Sequence, residues 1–170
     1  MPSDLEDAGS DPRRLRAMLQ RAAREPVGNS SPADATARIN EPPFLFVAYA
    51  RADQKVVRLL IDELRNAGLE VRWDQDIRIG DDFRDCIGGY LARSFAVVVV
   101  WSPASVRSKF TIDEASTAEL LGKLVTLRTP DLSPQEVPLG FRQYRCESIF
   151  DRDLILQSIA ALAADARQPA

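Results

Sequence analysis

The chain has 170 residues, 45% apolar and 28% charged, a length and balance that predict one globular domain with a tail and a core that needs no staples. Its net charge of −3 and lack of a basic block exclude a nucleic-acid electrostatic footprint. It has no histidine, which removes His general bases, Ser–His and Cys–His nucleophile pairs and most zinc sites, so any chemistry runs on carboxylates, hydroxyls, Lys, Arg or backbone.

Residues 1–40 differ from the rest. "DPRRLRAMLQRAARE" places Asp11 as an N-cap, Pro12 at the first helical position, and Leu15, Met18, Leu19 and Ala22 on one face. "PVGNSSPADATARINEPP" follows and reads as linker. The short helix is either part of a mobile tail or a docking element for a partner or a neighbouring subunit. There is no apolar leader core at this end.

Residues 41–166 form the expected domain. "FLFVAY" after Pro42-Pro43 is a first strand. "DQKVVRLLIDELRNAG" is a helix with Asp53 as its cap, Val57, Leu60, Ile61 and Leu64 on one face, and Gly68 as the left-handed stop. "LEVRW" is a second strand, "DQDIRIGDD" a polar loop, and "FRDCIGGYLARS" a shorter helix weakened by Gly88-Gly89. "FAVVVVW" is a β-branched run of the kind buried on both faces of a sheet, and it is too short to cross a bilayer. "TIDEASTAELLGK" is helical with Ile112, Ala115, Leu120 and Leu121 turned inward. "LVTLRT" is a fourth strand, "PDLSPQEVPLGF" a Pro-rich loop, "QYRCES" a short edge strand, and "DRDLILQSIAALAADA" a closing helix. Cys86 and Cys146 make neither a CxxC unit nor a disulfide framework, which fits a reducing cytoplasm.

Strands alternating with helices imply parallel βαβ units with right-handed crossovers. Five strands in this rhythm suit a flavodoxin-like α/β fold, a parallel sheet of order 2-1-3-4-5 with helices on both faces. Ligands in such sheets sit beyond the carboxyl ends of the strands, at the switch point between strands 1 and 3. "YARAD", "DQDIRIG" and "WSPASVRSKFTIDE" are expected to meet there.

Glu114 has two readings. Thr111-x-x-Glu114 fits a capping box, with Thr111 as N-cap. Alternatively Ser108 is the N-cap, Glu114 lies one turn inside, and Phe110 and Glu114 share a face about 6 Å apart. A ring beside a carboxylate then suits a cationic ligand: the ring packs a flat heterocycle and the carboxylate holds ribose hydroxyls or steadies a developing cation. Asp74 and Asp76 are either oxygen ligands or part of a solvated loop; no recognisable metal spacing surrounds them, and no metal site is expected. Walker and G-x-G-x-x-G cradles are missing. A receiver domain needs acids where Tyr49-Ala50 and Trp101-Ser102 stand.

In order and spacing, "FLFVAYARAD", "GLEVRWDQDIRIGDDF" and "AVVVVWSPASVRSKFTIDE" resemble the boxes of the TIR (Toll/interleukin-1 receptor) domain family, bacterial members above all, over residues 44–150. The resemblance implies cleavage of NAD⁺, as substrate and not as cofactor, at the nicotinamide–ribose bond, by hydrolysis or ADP-ribosyl cyclisation. It maps the essential acid onto Glu114. The implied substrate-binding set is Phe110 with Tyr49, Ala50 and Arg51 after strand 1, Asp74, Ile79 and Gly80 in the loop, and Trp101 and Ser102 after strand 3. Arg51 is the nearest cation for a pyrophosphate, and Trp101 is a substitute aromatic or a core plug. The family usually has Trp where Phe110 stands and Ser where Ala48 stands.

Further implications are self-association through the TIR domain and the loop at 74–82 (the BB loop), a sensor or effector protein as partner, and a role in bacterial anti-phage immunity or host interaction. No membrane or nucleic-acid partner is expected. The rival reading is a non-catalytic adaptor that uses the same loop for TIR–TIR contacts.

Overall fold

In a computed structural model that describes residues 42–77, 80 and 82–165, five strands make one parallel sheet of order β2-β1-β3-β4-β5. The strands are β1 (Phe44–Ala48), β2 (Glu70–Arg72), β3 (Ala96–Trp101), β4 (Leu124–Arg128) and β5 (Cys146–Ser148). The helices among the described residues are α1 (Gln54–Asn66), α2 (Phe83–Arg93), α3 (Lys109–Leu120) and α4 (Arg152–Asp165). The flavodoxin-like order read from the strand–helix rhythm is the one observed. The helix expected over residues 11–25 and its linker lie outside the described residues.

β1 and β3 run side by side, with Leu45 opposite Ala96 and Ala48 opposite Val99. Both are buried along their whole length. Side chains alternate across a strand, so the central strands feed two cores. Leu45, Val47, Val98 and Val100 pack with Val57, Ile61 and Leu64 of α1 and Ile155 and Ile159 of α4. Phe46, Ala48, Val97, Val99 and Trp101 pack with Ile87 and Leu91 of α2 and Ala115 and Ala118 of α3. Gly68 ends the α1 segment at φ +89, a left-handed conformation that costs a side-chain-bearing residue energy.

Two local expectations are corrected. Asp53 precedes α1 but its side chain makes no capping bond there; it accepts a hydrogen bond from the Ser102 hydroxyl instead. α3 buries Thr111, Glu114, Ala115 and Ala118, while Leu120 is 88% exposed and Leu121 also stands in solvent. The helix begins at Lys109 and ends at Leu120, ahead of a left-handed Gly122. Its last turn therefore carries the two leucines away from the sheet.

Candidate functional site

At the carboxyl ends of β1 and β3 the two crossovers leave in opposite directions, and a cleft of about 220 Å³ opens between them. β1 delivers Tyr49, and the tight turn Arg51–Asp53 that follows it holds Ala50 and Arg51 on one wall. The turn Asp74–Asp76 after β2 places Asp74 beside Tyr49. The N-terminal turns of α2 and α3 bring Phe83, Ser108, Phe110, Thr111 and Glu114.

Ser108 is the N-cap of α3: its hydroxyl oxygen accepts the N–H of Thr111 at 3.3 Å. This is the second register considered for Glu114, and it removes the Thr111 capping box. Glu114 is only 5% exposed, yet among the described residues no hydrogen bond reaches its carboxylate. Burial, and then the nearby negative charge of Asp74, push its pKa up to about 8. Asp74 itself is held by Tyr49, whose hydroxyl donates to Oδ1 at 2.5 Å. Burial, and then this bond, raise the Tyr49 phenol far above its usual range. The Tyr49 ring also leans on Trp73, with centroids 5.8 Å apart, so the Tyr49–Asp74 wall is fixed from two sides.

Of the expected site residues, Tyr49, Ala50, Arg51, Asp74, Phe110 and Glu114 come together in this cleft. Trp101 and Ser102 do not. Trp101 is fully buried and its ring lies 5.3 Å from that of Phe141, which the Pro-rich segment lays over the end of β3. It is a core plug. Ser102 is also fully buried; it donates its hydroxyl proton to Asp53, its N–H bonds the Ser105 oxygen at 2.7 Å, and its own oxygen accepts the Ser105 N–H at 3.0 Å. It ties the β3 exit to the turn carrying Arg51. Gly80 stands in a loop turn at φ +100, outside the cleft lining. Ile79 lies outside the described residues.

Sequence reasoning passed over Phe83, Ser108 and Thr111 as lining residues. The available signal for Phe83 was its place directly after the polar loop, next to Asp82, whose carboxylate caps α2.

The arrangement offers a flat apolar ring, a sequestered carboxyl without a donor, and a cation at the rim. It suits a ligand that is flat and electron-poor at one end and hydroxylated beside it. Among the described residues no group of three or more His, Cys, Asp or Glu converges as a metal site, and no helix is long and apolar enough to cross a membrane.

The comparison with known structures bears on the fold. A metazoan TIR-STING receptor from C. gigas, solved in complex with 2′,3′-cGAMP, matches with a TM-score of 0.60 and 23% identity, over 68% of this chain and 39% of that one. The chain thus spans well under half of that receptor. The TIR domain of the Toll-related receptor TRR-2 from Hydra magnipapillata matches with a TM-score of 0.56 and 21% identity, over 73% of this chain and 98% of that one. The TIR domains of the activated Roq1 resistosome, which recognises the pathogen effector XopQ, match with a TM-score of 0.51 and 18% identity, over 75% and 86%. No curated protein matches the sequence. The family model for the TIR domain matches residues 45–155, more than half of the chain. With that match and the 2-1-3-4-5 sheet, the chain belongs to the TIR domain family.

Proposed function

We propose that this domain cleaves NAD⁺ between nicotinamide and ribose, with Glu114 as the group that meets the ribose hydroxyls. The observation that carries this reading is the Glu114 carboxyl, 5% exposed, without a donor among the described residues, lining a cleft beside Phe110. A stability-driven core does not keep such a group: burying a carboxyl without partners costs several kcal/mol, whereas an apolar side chain there would stabilise.

The chemistry follows from charge. The nicotinamide ring of NAD⁺ is positive and leaves neutral, so its departure shifts positive charge onto the ribose. Before substrate binds, Glu114 holds its proton at neutral pH, because burial and then Asp74 raise its pKa to about 8. A pyridinium ring arriving beside it favours the ionised form, and the proton passes to water. The resulting carboxylate, largely buried, stabilises the oxocarbenium-like transition state more than it stabilises the ground state. Water then captures the sugar to give ADP-ribose and a proton, or the adenine of the same molecule captures it to give a cyclic isomer.

Assembly completes the site in this account. Small-ligand pockets usually enclose ~300–1,000 Å³; the cleft here holds about 220 Å³. One domain therefore grips the nicotinamide riboside end, and the loop at 74–82 of a second copy covers the remainder. The free thiols of Cys86 and Cys146 fit a cytoplasmic setting. The setting proposed for this activity is bacterial anti-phage immunity or host interaction, triggered through a sensor or effector protein; the family resemblance supports that reading.

The test is incubation with NAD⁺ across a range of protein concentrations, with nicotinamide quantified by chromatography and the second product by mass spectrometry. Nicotinamide per molecule of protein should rise with concentration. A constant value contradicts assembly control, and no release at any concentration, assembled protein included, contradicts the activity.

A further inference from the structure

Helices α2 and α3 each bury one stripe against the sheet, and both stripes end in a phenylalanine at the cleft. On α2, Leu91 and Ile87 are buried and Phe83, one turn further toward the N-terminus, is 40% exposed. On α3, Ala118 and Glu114 are buried and Phe110, again one turn further, is 39% exposed. Residues four apart share a helix face, so each ring continues an inward-facing stripe past the point where the core stops. The two rings lie 5.6 Å apart between centroids, tilted by 35°, within the range of attractive aromatic pairs. Both line the cleft that holds Glu114.

The backbone under each ring is fixed. The Asp82 carboxylate accepts the N–H groups of Arg84 at 3.0 Å and Asp85 at 3.1 Å, which sets Phe83 as the first residue of α2. Ser108 does the same for α3 two residues before Phe110. A third ring does not fit between the two: inserting one needs about 7 Å between flanking planes, two contact layers of about 3.5 Å each. Because both rings line the cleft and touch each other, the pair can present a ligand with more aromatic surface than Phe110 alone. Neither ring carries a polar atom, so this face can select for flatness and positive charge but not for hydrogen-bonding groups.

We infer that Phe83 is a substrate-positioning residue that extends Phe110 into a two-ring platform for the planar, cationic pyridinium end of a dinucleotide. The inference rests on the proposed NAD⁺ cleavage for its substrate and adds a residue from a different helix to the site. It assigns the N-terminus of α2, directly behind the polar loop, to the ligand as well as to the fold.

The test compares Phe83→Leu, Phe83→Ala and Phe83→Tyr, with Glu114→Gln as the reference for the chemistry. Two readouts are used: KM and kcat for nicotinamide release from NAD⁺, and NMR titration with 1-methylnicotinamide, a pyridinium cation that cannot be cleaved. Loss of one stacking partner should raise KM and the 1-methylnicotinamide Kd about five- to tenfold in Phe83→Leu and Phe83→Ala, with kcat within about threefold. Phe83→Tyr should stay within about twofold of the wild type. Glu114→Gln should lose turnover while still binding the cation. If Phe83→Leu binds and turns over like the wild type, the platform is overturned and the cleavage reading stands. If the wild type releases no nicotinamide, the cleavage reading fails, and the titration alone decides: a five- to tenfold weaker Kd in Phe83→Leu upholds the platform, whereas equal affinities or no binding at all overturns it. Melting temperatures of all variants check that the half-exposed position has not cost the fold.

Discussion

Helices α1 and α3 flank the same two central strands from opposite faces, and they are built on different logic. α1 buries Val57, Leu60, Ile61 and Leu64, an unbroken apolar stripe at helical spacing. α3 buries Thr111, Glu114, Ala115 and Ala118 and exposes its leucines. One helix obeys the hydrophobic pattern because it only holds the sheet. The other breaks the pattern where the cleft opens, and the break is a carboxyl. Departures of this kind are expected where function opposes stability.

The contrast is sharpest in the response to pH. Glu114 has its pKa raised from its ordinary 4.5 to about 8 in the folded chain. The folded state therefore holds that proton more tightly than the unfolded state does, and stability is lost as pH rises from about 4.5 to about 8. Glu114→Gln removes the titration. The variant should match the wild type below about pH 4.5 and exceed it above pH 8 by up to about 5 kcal/mol, measured by urea unfolding across pH. A difference that does not grow with pH would show that Glu114 is not held in a dry site.

On the other helix the sign reverses. Leu64→Ala leaves a cavity under α1 and should cost ~2–5 kcal/mol, independent of pH and without effect on the cleft. A cost that varies with pH would break the division between the two faces.

Asp74→Asn sharpens the account of the cleft itself. It removes the second cause of the raised Glu114 pKa, so the limb on which nicotinamide release rises with pH should move to lower pH, read from kcat/KM profiles. A move to higher pH would contradict the arrangement.

The smallest effect belongs to Leu120→Ser. A sequence pattern that turns Leu120 inward predicts a core-sized loss, but at 88% exposure the change should stay within about 0.5 kcal/mol.

Much of the fold was legible because its signals are repetitive and local. The run of valines at 97–100 marks a doubly covered strand, the apolar stripe of α1 marks its inner face, and Gly68 marks its stop. The meeting of the β1, β2 and β3 exits followed from topology. What was not legible depends on where side chains point. Trp101 and Ser102 sit at the right strand end, but strand alternation sends Trp101 into the α2–α3 core, under Phe141, and Ser102 into a bond with Asp53. Leu120 and Leu121 look apolar enough to be core, but the helix stops beneath them. Phe83 belongs to no periodic pattern that distinguishes cleft from core, since its stripe is the same as that of Ile87 and Leu91. Glu114 stood between two cap registers, of which the local pattern favoured the Thr111 capping box, and the Ser108 hydroxyl bond decides for the other.

Nicotinamide release from NAD⁺ by the wild type and by Glu114→Gln, at equal concentration in the assembled state, tests the central claim most directly. The account predicts release by the wild type and a loss of at least about a hundredfold in the variant, the scale of removing one preorganised electrostatic group from a transition state, with the fold intact. Equal release by the two proteins would contradict it.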